Sequence, residues 1–261
     1  MPHNLLDEFR IPYYETIDQL YQYMLFHYGS DQDQLPYAFG PTTSINFPSR
    51  CVTECLDVAA LPNSSTALDI GCAVGRSSFE LARHCEKVIG VDTSQSFILA
   101  AQGIQCLGKL EYSIINEGAQ IAKRVARLPE GVMANRVEFI CCDIMDYEQK
   151  PILFNVVLAA NVLCRVKNPR AFLALLSRLV APQGQLILTS PYSWLENFTP
   201  ESHWLKGKSG RNEKSSLELI QAEFKDSFEL KRSFDLPFLM REHLRKYQWG
   251  IAQASIWKRN P

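Results

Sequence analysis

From residue 66 onward, short runs of consecutive apolar residues alternate with segments in which apolar residues recur at helical spacing. A run that is apolar at nearly every position is typical of a parallel strand, because helices cover both faces of a parallel sheet. The predicted strands are 66–70, 87–91, 136–140, 154–160 and 184–190. The predicted helices are 76–84, 94–107 and 169–180. This alternation predicts an α/β fold with a mainly parallel sheet.

The N-terminal part of the chain (1–60) contains no clear strand and is expected to form a helical cap on a core of residues 61–261. Apolar residues at helical spacing predict a helix around Met24 that ends at Gly29. A second helix is predicted over 49–59, where a following proline would end it.

Two long connections interrupt the pattern of the core. Residues 109–135 are predicted to form an extra helix or a partly irregular insertion, and residues 192–216 a polar loop with Lys206–Asn212 at its tip. A helix near 216–223 and strands near 228–234 and 251–258 then predict a terminal hairpin. Since no linker separates these parts, we predict a single domain over residues 1–261.

The residues between 66 and 92 carry the most specific pattern, TALDIGCAVGRSSFELARHCEKVIGVD. A predicted strand leads into a turn with two glycines, a helix follows, and the next strand ends at Asp92. Glycines allow the backbone to turn sharply and to approach a ligand closely. An acid at the end of the second strand is placed to accept hydrogen bonds from two ribose hydroxyls. The pattern therefore predicts a site for a cofactor that contains a nucleoside.

The residues of the turn indicate which cofactor this is. A dinucleotide site requires G-x-G-x-x-G facing a pyrophosphate, but here Ala73 occupies the middle glycine position and Asp69 would repel a pyrophosphate. An acid suits S-adenosylmethionine, whose ammonium and sulfonium groups are cationic. Together with Asp92, the D-x-G-x-x-x-G pattern resembles motif I of the class I S-adenosylmethionine-dependent methyltransferases. That resemblance implies a Rossmann-like seven-stranded sheet whose last strand is antiparallel; the alternative is a glycine turn of another α/β protein.

We predict that residues at the carboxyl ends of the strands bind this cofactor and its product S-adenosylhomocysteine, because ligands of doubly wound sheets bind at that edge. The methionine side is assigned to Asp69, Gly71, Cys72, Ala73 and Gly75, with Arg76 either binding a carboxylate or simply exposed. The ribose is assigned to Asp92, with Thr93 and Ser94 beside it; alternatively, Asp92 or Thr93 is a helix N-cap. The adenine is assigned to Cys142, Asp143 and Ile144, and the alternative for Asp143 is a solvated turn acid.

Asn161 ends the fourth predicted strand and is expected to face the region of the transferred methyl group. It is a candidate contact of the cofactor amine, of a backbone carbonyl or of the acceptor, or a simple strand-end cap. Methyl transfer needs the acceptor held in line with the S–CH3 bond and water excluded, so we expect binding residues more than acid–base groups. The candidate catalytic residues are Asn161, Tyr14, Glu242 and His243.

Three clusters combine aromatic side chains with charged ones and are candidate acceptor sites. They are Tyr14, Tyr37, Phe47 and Arg50 in the cap, Tyr192 and Trp194 after the fifth strand, and Arg241, Arg245 and Tyr247 near the C-terminus. Arginine can bind a carboxylate through two hydrogen bonds and a glutamate can bind an ammonium, which suits a zwitterionic amino acid. For each cluster, the alternative is a solvated surface.

Composition narrows the classes of partner. The formal net charge is −1, so no strong field attracts the chain to nucleic acid or to an anionic membrane. No apolar run is long enough to span a bilayer, and the polar N-terminus is unlike a signal peptide. The eight cysteines form no C-x-x-C pair and no histidine stands at ligand spacing, so we expect reduced thiols, no metal and a cytoplasmic protein.

Beyond motif I, the sequence resembles the ovothiol-pathway methyltransferases, namely the C-terminal domain of the bifunctional ovothiol synthase and stand-alone 4-mercaptohistidine N1-methyltransferases. The matching segments are HYGS (27–30), FPSRC (47–51), DIGCAVGRSSFELAR (69–83), GVDTS (90–94), LAANVLCRVKNPRAFL (158–173), LTSPYSWLENFTP (188–200), PFLMREHLRKYQWG (237–250) and ASIW (254–257). The resemblance implies methyl transfer to a side-chain imidazole nitrogen of 5-thiohistidine, or of 5-selenohistidine in the related ovoselenol pathway. It also implies an upstream sulfoxide or selenoxide synthase. Because the synthase portion has no counterpart in this sequence, we expect it to methylate only.

Other function classes fit parts of this pattern. One is a methyltransferase for another amino acid, amine or thiol, and another is a degenerate methyltransferase-fold subunit that binds a partner. The intact set of Asp69, the two glycines and Asp92 argues against degeneracy. Nucleic acid is disfavoured as the acceptor, because Asn161 is followed by Val-Leu-Cys and not by the Pro-Pro-aromatic sequence of base-amino methyltransferases.

Overall fold

The computed structural model describes residues 13–147, 153–205 and 214–261. The helices are α1 (Ile17–Tyr28), α2 (Asp31–Gln34), α3 (Phe47–Thr53), α4 (Arg76–Leu81), α5 (Gln95–Leu107), α6 (Pro169–Leu179) and α7 (Ser216–Phe224). The strands are β1 (Thr66–Ile70), β2 (Lys87–Asp92), β3 (Lys109–Glu117), β4 (Gln120–Arg127), β5 (Val137–Cys141), β6 (Phe154–Ala160), β7 (Val180–Ser190), β8 (Phe228–His243) and β9 (Lys246–Arg259). The predicted loop tip Lys206–Asn212 lies outside the described residues. Within those residues, no helix has the length and hydropathy needed to cross a membrane.

Seven strands form one sheet in the order β5-β2-β1-β6-β7-β9-β8. The strands from β5 to β7 in this order are mutually parallel, and β9 is antiparallel to both of its neighbours, β7 and β8. This confirms the predicted class I methyltransferase sheet with an antiparallel last strand. Because side chains alternate between the faces of a strand, Ala67 packs in the core with α4 and α5, and Leu68 in the core with α6 and α7.

The predicted bounds agree closely with the structure where strands are buried on both faces. β1 and β6 have the predicted bounds, β2, α5 and α6 differ by one residue at one end, and β5 is shifted by one residue at both ends. β7 begins earlier, at Val180, and α4 ends earlier, at Leu81. The last two strands are much longer than predicted, with 16 residues in β8 and 14 in β9. Their outer parts carry charged residues and pair only with each other, so the sequence there resembles a surface loop.

The interpretation of residues 109–135 as a helix or an irregular insertion is wrong. β3 and β4 form a separate antiparallel hairpin. Tyr112 and Ile114 are buried on one face of β3, which is the two-residue period of a strand. Ile115 and Ile121 are apolar but 39% and 66% exposed, and they hide this alternation in the sequence.

The N-terminal cap contains no strand within its described residues, 13–60, as predicted. Helix α1 begins after Thr16, whose side chain accepts a hydrogen bond from the Gln19 N–H, and it ends before Gly29. Helix α3 differs from the prediction, because it starts at Phe47, with Pro48 in its first turn, and stops at Thr53.

The β8–β9 hairpin extends past the carboxyl edge of the sheet and holds the cap. The last residue of β7, Ser190, lies opposite Gln253. The part of β9 between the hairpin tip and Gln253 pairs with β8 and not with β7. Arg241 near this tip is 5% exposed, and its guanidinium donates to the Asp33 carbonyl (2.7 Å) and to Asn116 Oδ1 (3.0 Å). Leu244 N also donates to the Asn116 carbonyl. Arg241 therefore joins α2, the β3–β4 hairpin and β8.

Arg241→Ala is expected to lower the free energy of unfolding by about 3 kcal/mol, because it removes charge-assisted hydrogen bonds to the half-buried Asp33 and Asn116 together with the packing of a buried side chain. Arg245→Ala is the matched control, since Arg245 is 67% exposed and its ion pair with Glu117 spans 3.5 Å; we expect a change within about 0.5 kcal/mol. Urea unfolding of both variants measures the difference. Equal losses would contradict the structural role of Arg241.

Candidate functional site

The glycine loop after β1 is held in a strained, compact form. Gly71, Ala73 and Gly75 have φ angles of 69°, 48° and 87°. A Cβ atom at Gly71 would lie 2.5 Å from a methyl group of Val162, and one at Gly75 would lie 2.6 Å from the Phe139 ring, so space as well as φ requires glycine at both positions. The left-handed Ala73 carries a conformational cost of roughly 1 kcal/mol.

Asp92 holds this loop in place. Its Oδ2 accepts a hydrogen bond from the Ala73 N–H and its Oδ1 one from the Ser94 N–H, both at 2.9 Å. Burial raises the pKa of Asp92. The alternative that Asp92 or Thr93 is the N-cap of the next helix is wrong, because the N-cap of α5 is Ser94, whose hydroxyl accepts from Phe97 N.

Asp69 lies beneath the loop and is 1% exposed. Its Oδ2 accepts a hydrogen bond of 2.6 Å from the Ser78 hydroxyl, and its Oδ1 has no partner among the described residues. Burial raises the pKa of this carboxyl to about 7. A cation bound beside the loop would therefore favour ionisation of Asp69 and be stabilised by it.

Arg76 binds a carboxylate, but one from this chain. It pairs with Glu80 at 2.8 Å, and Arg83 pairs with the other oxygen of Glu80 at 2.7 Å. The neighbouring His27 is buried, with no partner for Nδ1 in the described part of the chain, and burial together with Arg76 lowers its pKa to about 3. Its neighbour Tyr28 donates to the Val74 carbonyl (2.7 Å), which ties α1 to the glycine loop.

The ends of β5 and β6 place the remaining cofactor candidates at the same edge. Cys142 N donates to the Asp92 carbonyl, and the exposed Asp143 accepts from Met145 N at the start of a short 3-10 turn that includes Ile144. Asn161 adopts φ 58°, and its Oδ1 accepts from the Thr189 hydroxyl at 3.0 Å. This leaves its side-chain NH2 group as a donor for a ligand.

The N-terminal segment lies on the first turn of α5, beside Asp92. The Tyr14 carbonyl accepts from Ser94 Oγ (3.1 Å), and the carboxylate of Glu15 accepts from the N–H groups of Gln95 and Ser96. The Tyr14 ring lies 6.0 Å from the ring of Phe198, which follows β7. Tyr14 thus connects the β2 side of the edge with the β7 side. Glu15 and Phe198 are not among the predicted site residues, because neither stands in the glycine turn or at the end of a predicted strand.

Three predicted acceptor residues have structural partners instead. Phe47 is 3% exposed and packs against Phe26 and Phe238. Arg50 pairs with Glu54 and donates to the carbonyls of Thr43 and Pro237. Arg241 joins three elements, as described above. These side chains position the cap and the hairpin and have little capacity left for a ligand.

Tyr192 and Trp194 follow β7 and stay near Asn161, because Ala160 of β6 pairs with Thr189 of β7. Tyr192 adopts φ 50°, and its hydroxyl donates to Gln253 Oε1 at 2.9 Å. Burial raises the pKa of Tyr192 to about 12, so it stays protonated at neutral pH. Both rings are half-buried and pack against the core that contains α6 and α7.

The remaining candidates lie at the hairpin tip. Glu242 pairs with Lys246 (2.6 Å) and accepts from Gln248, and His243 Nδ1 accepts from Arg245 N. Lys246 begins β9 at the hairpin tip, seven residues before Gln253, which corresponds to about 23 Å along the hairpin at ~3.3 Å per residue. This position separates the predicted bases Glu242 and His243 from Asn161. Tyr37, Arg245 and Tyr247 instead line a surface pocket of about 530 Å³.

Within the described residues, no group of three or more His, Cys, Asp or Glu side chains is arranged to hold a metal ion.

A family model described as a methyltransferase domain matches residues 68–188. The mitochondrial ubiquinone biosynthesis O-methyltransferase of Schizosaccharomyces pombe is 32% identical over 123 residues, 47% of this chain and 36% of that protein. The 23S rRNA (uracil(1939)-C(5))-methyltransferase RlmD of Legionella pneumophila is 32% identical over 69 residues, 25% of this chain and 16% of that protein. This chain thus spans about a third or less of the curated relatives it matches.

Solved structures share the fold. The N-methyltransferase NodS of Bradyrhizobium japonicum, in complex with S-adenosylhomocysteine, matches with a TM-score of 0.50 and 15% identity over 93% of this chain and 98% of NodS. An S-adenosylmethionine-dependent methyltransferase of Methanosarcina mazei matches with a TM-score of 0.52 and 16% identity over 77% of this chain and 95% of that chain. Residues 68–188 thus match a methyltransferase-domain model, and the chain has the class I methyltransferase fold.

Asp69→Asn is expected to flatten the dependence of stability on pH. The pKa of Asp69 in the folded chain, about 7, exceeds its ordinary value of 3.8, so its contribution to stability is complete below pH 4 and is lost as the pH rises through 7. The wild type should lose roughly 2–4 kcal/mol more than the variant between pH 4 and pH 8. Urea unfolding across this range measures the two curves, and parallel curves would refute the assignment.

Proposed function

We propose that this chain, whose residues 68–188 match a methyltransferase-domain model, binds S-adenosylmethionine and transfers its methyl group to a nitrogen atom of a small molecule. The observation that carries this proposal is the carboxylate of Asp92, which fixes both the glycine loop at Ala73 and the first turn of α5 at Ser94. The bound cofactor supplies an electrophilic methyl group, so the protein has to bind, orient and exclude water.

In this proposal, Asp92 binds the ribose hydroxyls. Each of its oxygens accepts one hydrogen bond from the backbone, and a carboxylate oxygen can accept a second one. Asp143 accepts from the adenine amino group, and the glycine loop lines the methionine part of the cofactor. Asp69 stabilises the cofactor ammonium through its negative charge, which the raised pKa makes responsive to a bound cation.

We propose 5-thiohistidine (4-mercaptohistidine) as the acceptor, methylated on a side-chain imidazole nitrogen in ovothiol biosynthesis. The support is the sequence resemblance, which extends over segments from residue 27 to residue 257. The same reaction on 5-selenohistidine in ovoselenol biosynthesis is the alternative, and the resemblance supports both. An upstream sulfoxide or selenoxide synthase would supply either acceptor. The likeness to NodS, at 15% identity, extends to the fold alone.

Selectivity between atoms is the main demand on the acceptor site. A thiolate or selenolate is a softer and stronger nucleophile than the adjacent ring nitrogen, so the site has to present the nitrogen to the methyl group. Asn161 is fixed by Thr189 and keeps its NH2 group for orienting the acceptor or the cofactor. In this proposal, the rings of Tyr192 and Trp194, which follow the strand paired with β6, hold the imidazole plane. Positioning is therefore the proposed contribution of these residues.

Two other functions remain alternatives from different classes. A methyltransferase for another small amino acid or amine would use the same cofactor residues with a different acceptor. A degenerate methyltransferase-fold subunit would bind a partner and carry no activity. Binding of S-adenosylhomocysteine separates the last class from the enzymes, because a degenerate site has no reason to retain cofactor affinity.

A one-pot turnover assay with S-adenosylmethionine, histidine, 5-thiohistidine and 5-selenohistidine tests the proposed reaction. We expect ring-nitrogen methylation of a chalcogen-bearing histidine and none of histidine, with mass-spectrometric fragmentation locating the methyl group. The preferred acceptor identifies the pathway.

Asp92→Ala is expected to weaken S-adenosylhomocysteine binding ~10–100-fold, because two hydrogen-bond acceptors are lost.

Each failure of this assay has a separate meaning. No product from the three amino acids, together with tight S-adenosylhomocysteine binding, would refute the acceptor and retain the cofactor site. No binding of S-adenosylhomocysteine by a folded chain would favour the degenerate subunit.

Substitution of the predicted bases tests whether positioning is the main contribution. Glu242→Gln, His243→Gln and Tyr14→Phe are each expected to change kcat less than ~5-fold, because no essential proton acceptor is removed. Asn161→Ala is expected to lower kcat ~10²-fold, because orientation is lost. A loss of ~10²-fold or more at one of the first three residues would identify a general base and contradict this expectation.

A further inference from the structure

The surface pocket on the hairpin has the composition of a ligand site. Its volume of about 530 Å³ lies within the range of small-molecule sites, roughly 300–1,000 Å³. Four aromatic rings line it, those of Tyr37, Phe39, Tyr247 and Trp249. Phe39 and Trp249 are 89% and 59% exposed, although large apolar side chains grouped on a surface favour being covered.

The rings of this pocket are held by the protein itself. Trp249 Nε1 donates to Ser44 Oγ at 2.9 Å, and the Tyr247 hydroxyl donates to the Leu244 carbonyl at 3.0 Å. Tyr37 stacks on Phe39 with a centroid distance of 5.1 Å. Because the polar ends of Trp249 and Tyr247 are engaged, their ring faces are presented in fixed orientations, which suits a planar ring.

One charged side chain belongs to the pocket lining, and it is a cation. Arg245 lines the pocket, and its ion pair with Glu117 spans 3.5 Å between two exposed side chains, so this pair contributes little free energy to its position. An arginine beside aromatic faces can bind a carboxylate, sulfonate or phosphate group of a ligand whose ring is stacked.

The pocket is separate from the proposed methyl-transfer site. Gln253 is the partner of Ser190 at the carboxyl end of β7. Trp249 and Tyr247 lie four and six residues before Gln253, toward the hairpin tip. This corresponds to about 13–20 Å along the hairpin at ~3.3 Å per residue. The other wall comes from the cap, with Leu35 and Pro41.

We propose that this pocket is a second ligand site, which binds a planar aromatic anion distinct from the methyl acceptor. The ring stacks on the faces of Trp249 and Tyr247, and the anionic group pairs with Arg245. This assigns Tyr37, Arg245 and Tyr247, which the sequence groups with acceptor candidates, to a different ligand. The proposal rests on the pocket and not on the proposed function.

Two fluorescent probes that share their rings test this site. 1-Anilinonaphthalene-8-sulfonate carries the anion, and N-phenyl-1-naphthylamine is its neutral counterpart. Titrated into the full chain at low salt, the sulfonate is expected to bind at one saturable site ~10-fold more tightly than the neutral probe. Phe39→Ala, at a residue too exposed to affect folding, is expected to weaken both probes ~5-fold or more.

Charge variants complete the test. Arg245→Gln is expected to remove the ~10-fold preference for the sulfonate, whereas Lys246→Gln, at a neighbouring cation paired with Glu242 outside the pocket lining, should leave it unchanged. Saturating S-adenosylhomocysteine or 5-thiohistidine should displace neither probe. The proposal is overturned by non-saturable binding, by equal effects of the two charge variants, by insensitivity to Phe39→Ala, or by displacement of the sulfonate by either ligand.

Discussion

The carboxylate of Asp92 accepts hydrogen bonds from two backbone N–H groups that belong to different elements, Ala73 in the glycine loop and Ser94 in the first turn of α5. Ala73 is in a left-handed conformation that an alanine does not favour, so the loop needs such an external constraint. Ser94 in turn donates to the Tyr14 carbonyl, and the same turn donates to Glu15. The glycine loop, the start of α5 and the N-terminal segment are thus arranged around one side chain at the end of β2.

Buried polar groups beneath the loop add a second layer to this constraint. Asp69 is enclosed with Ser78, Glu80 receives two arginines, and Tyr28 donates to the Val74 carbonyl. Burying a carboxyl without an opposite charge is costly, which is reflected in the raised pKa of Asp69. Asp69 is therefore a carboxyl beneath the loop whose charge can change near neutral pH. Glu80, in contrast, forms ion pairs with Arg76 and Arg83. Asp69 is thus buried without an opposite charge, whereas Glu80, eleven residues later, is held between two arginines.

How well the sequence predicts this chain depends on how many faces of an element are buried. β1 and β6 are covered on both faces, and their apolar runs have clear ends. The β3–β4 hairpin has exposed apolar residues, such as Ile115 and Ile121, so its two-residue period is hidden. In the site, Asp92 and Asn161 are predictable because a strand ends there. The structural roles of Arg50 and Arg241 are not, because an arginine that donates to backbone carbonyls and one that binds a ligand look alike in a sequence.

The contact between the tips of the two hairpins has a consequence for how the chain can change in evolution. Leu244 of the β8–β9 tip donates to the Asn116 carbonyl of β3, and Arg241 donates to the side chain of the same residue. Deleting Asn116 from the β3–β4 hairpin would remove one acceptor of the buried Arg241, which would keep its hydrogen bond to the Asp33 carbonyl, and would also remove the carbonyl that Leu244 N donates to. The lengths of two segments more than a hundred residues apart are therefore coupled, because an insertion or deletion at the tip of either hairpin changes a contact made by the other.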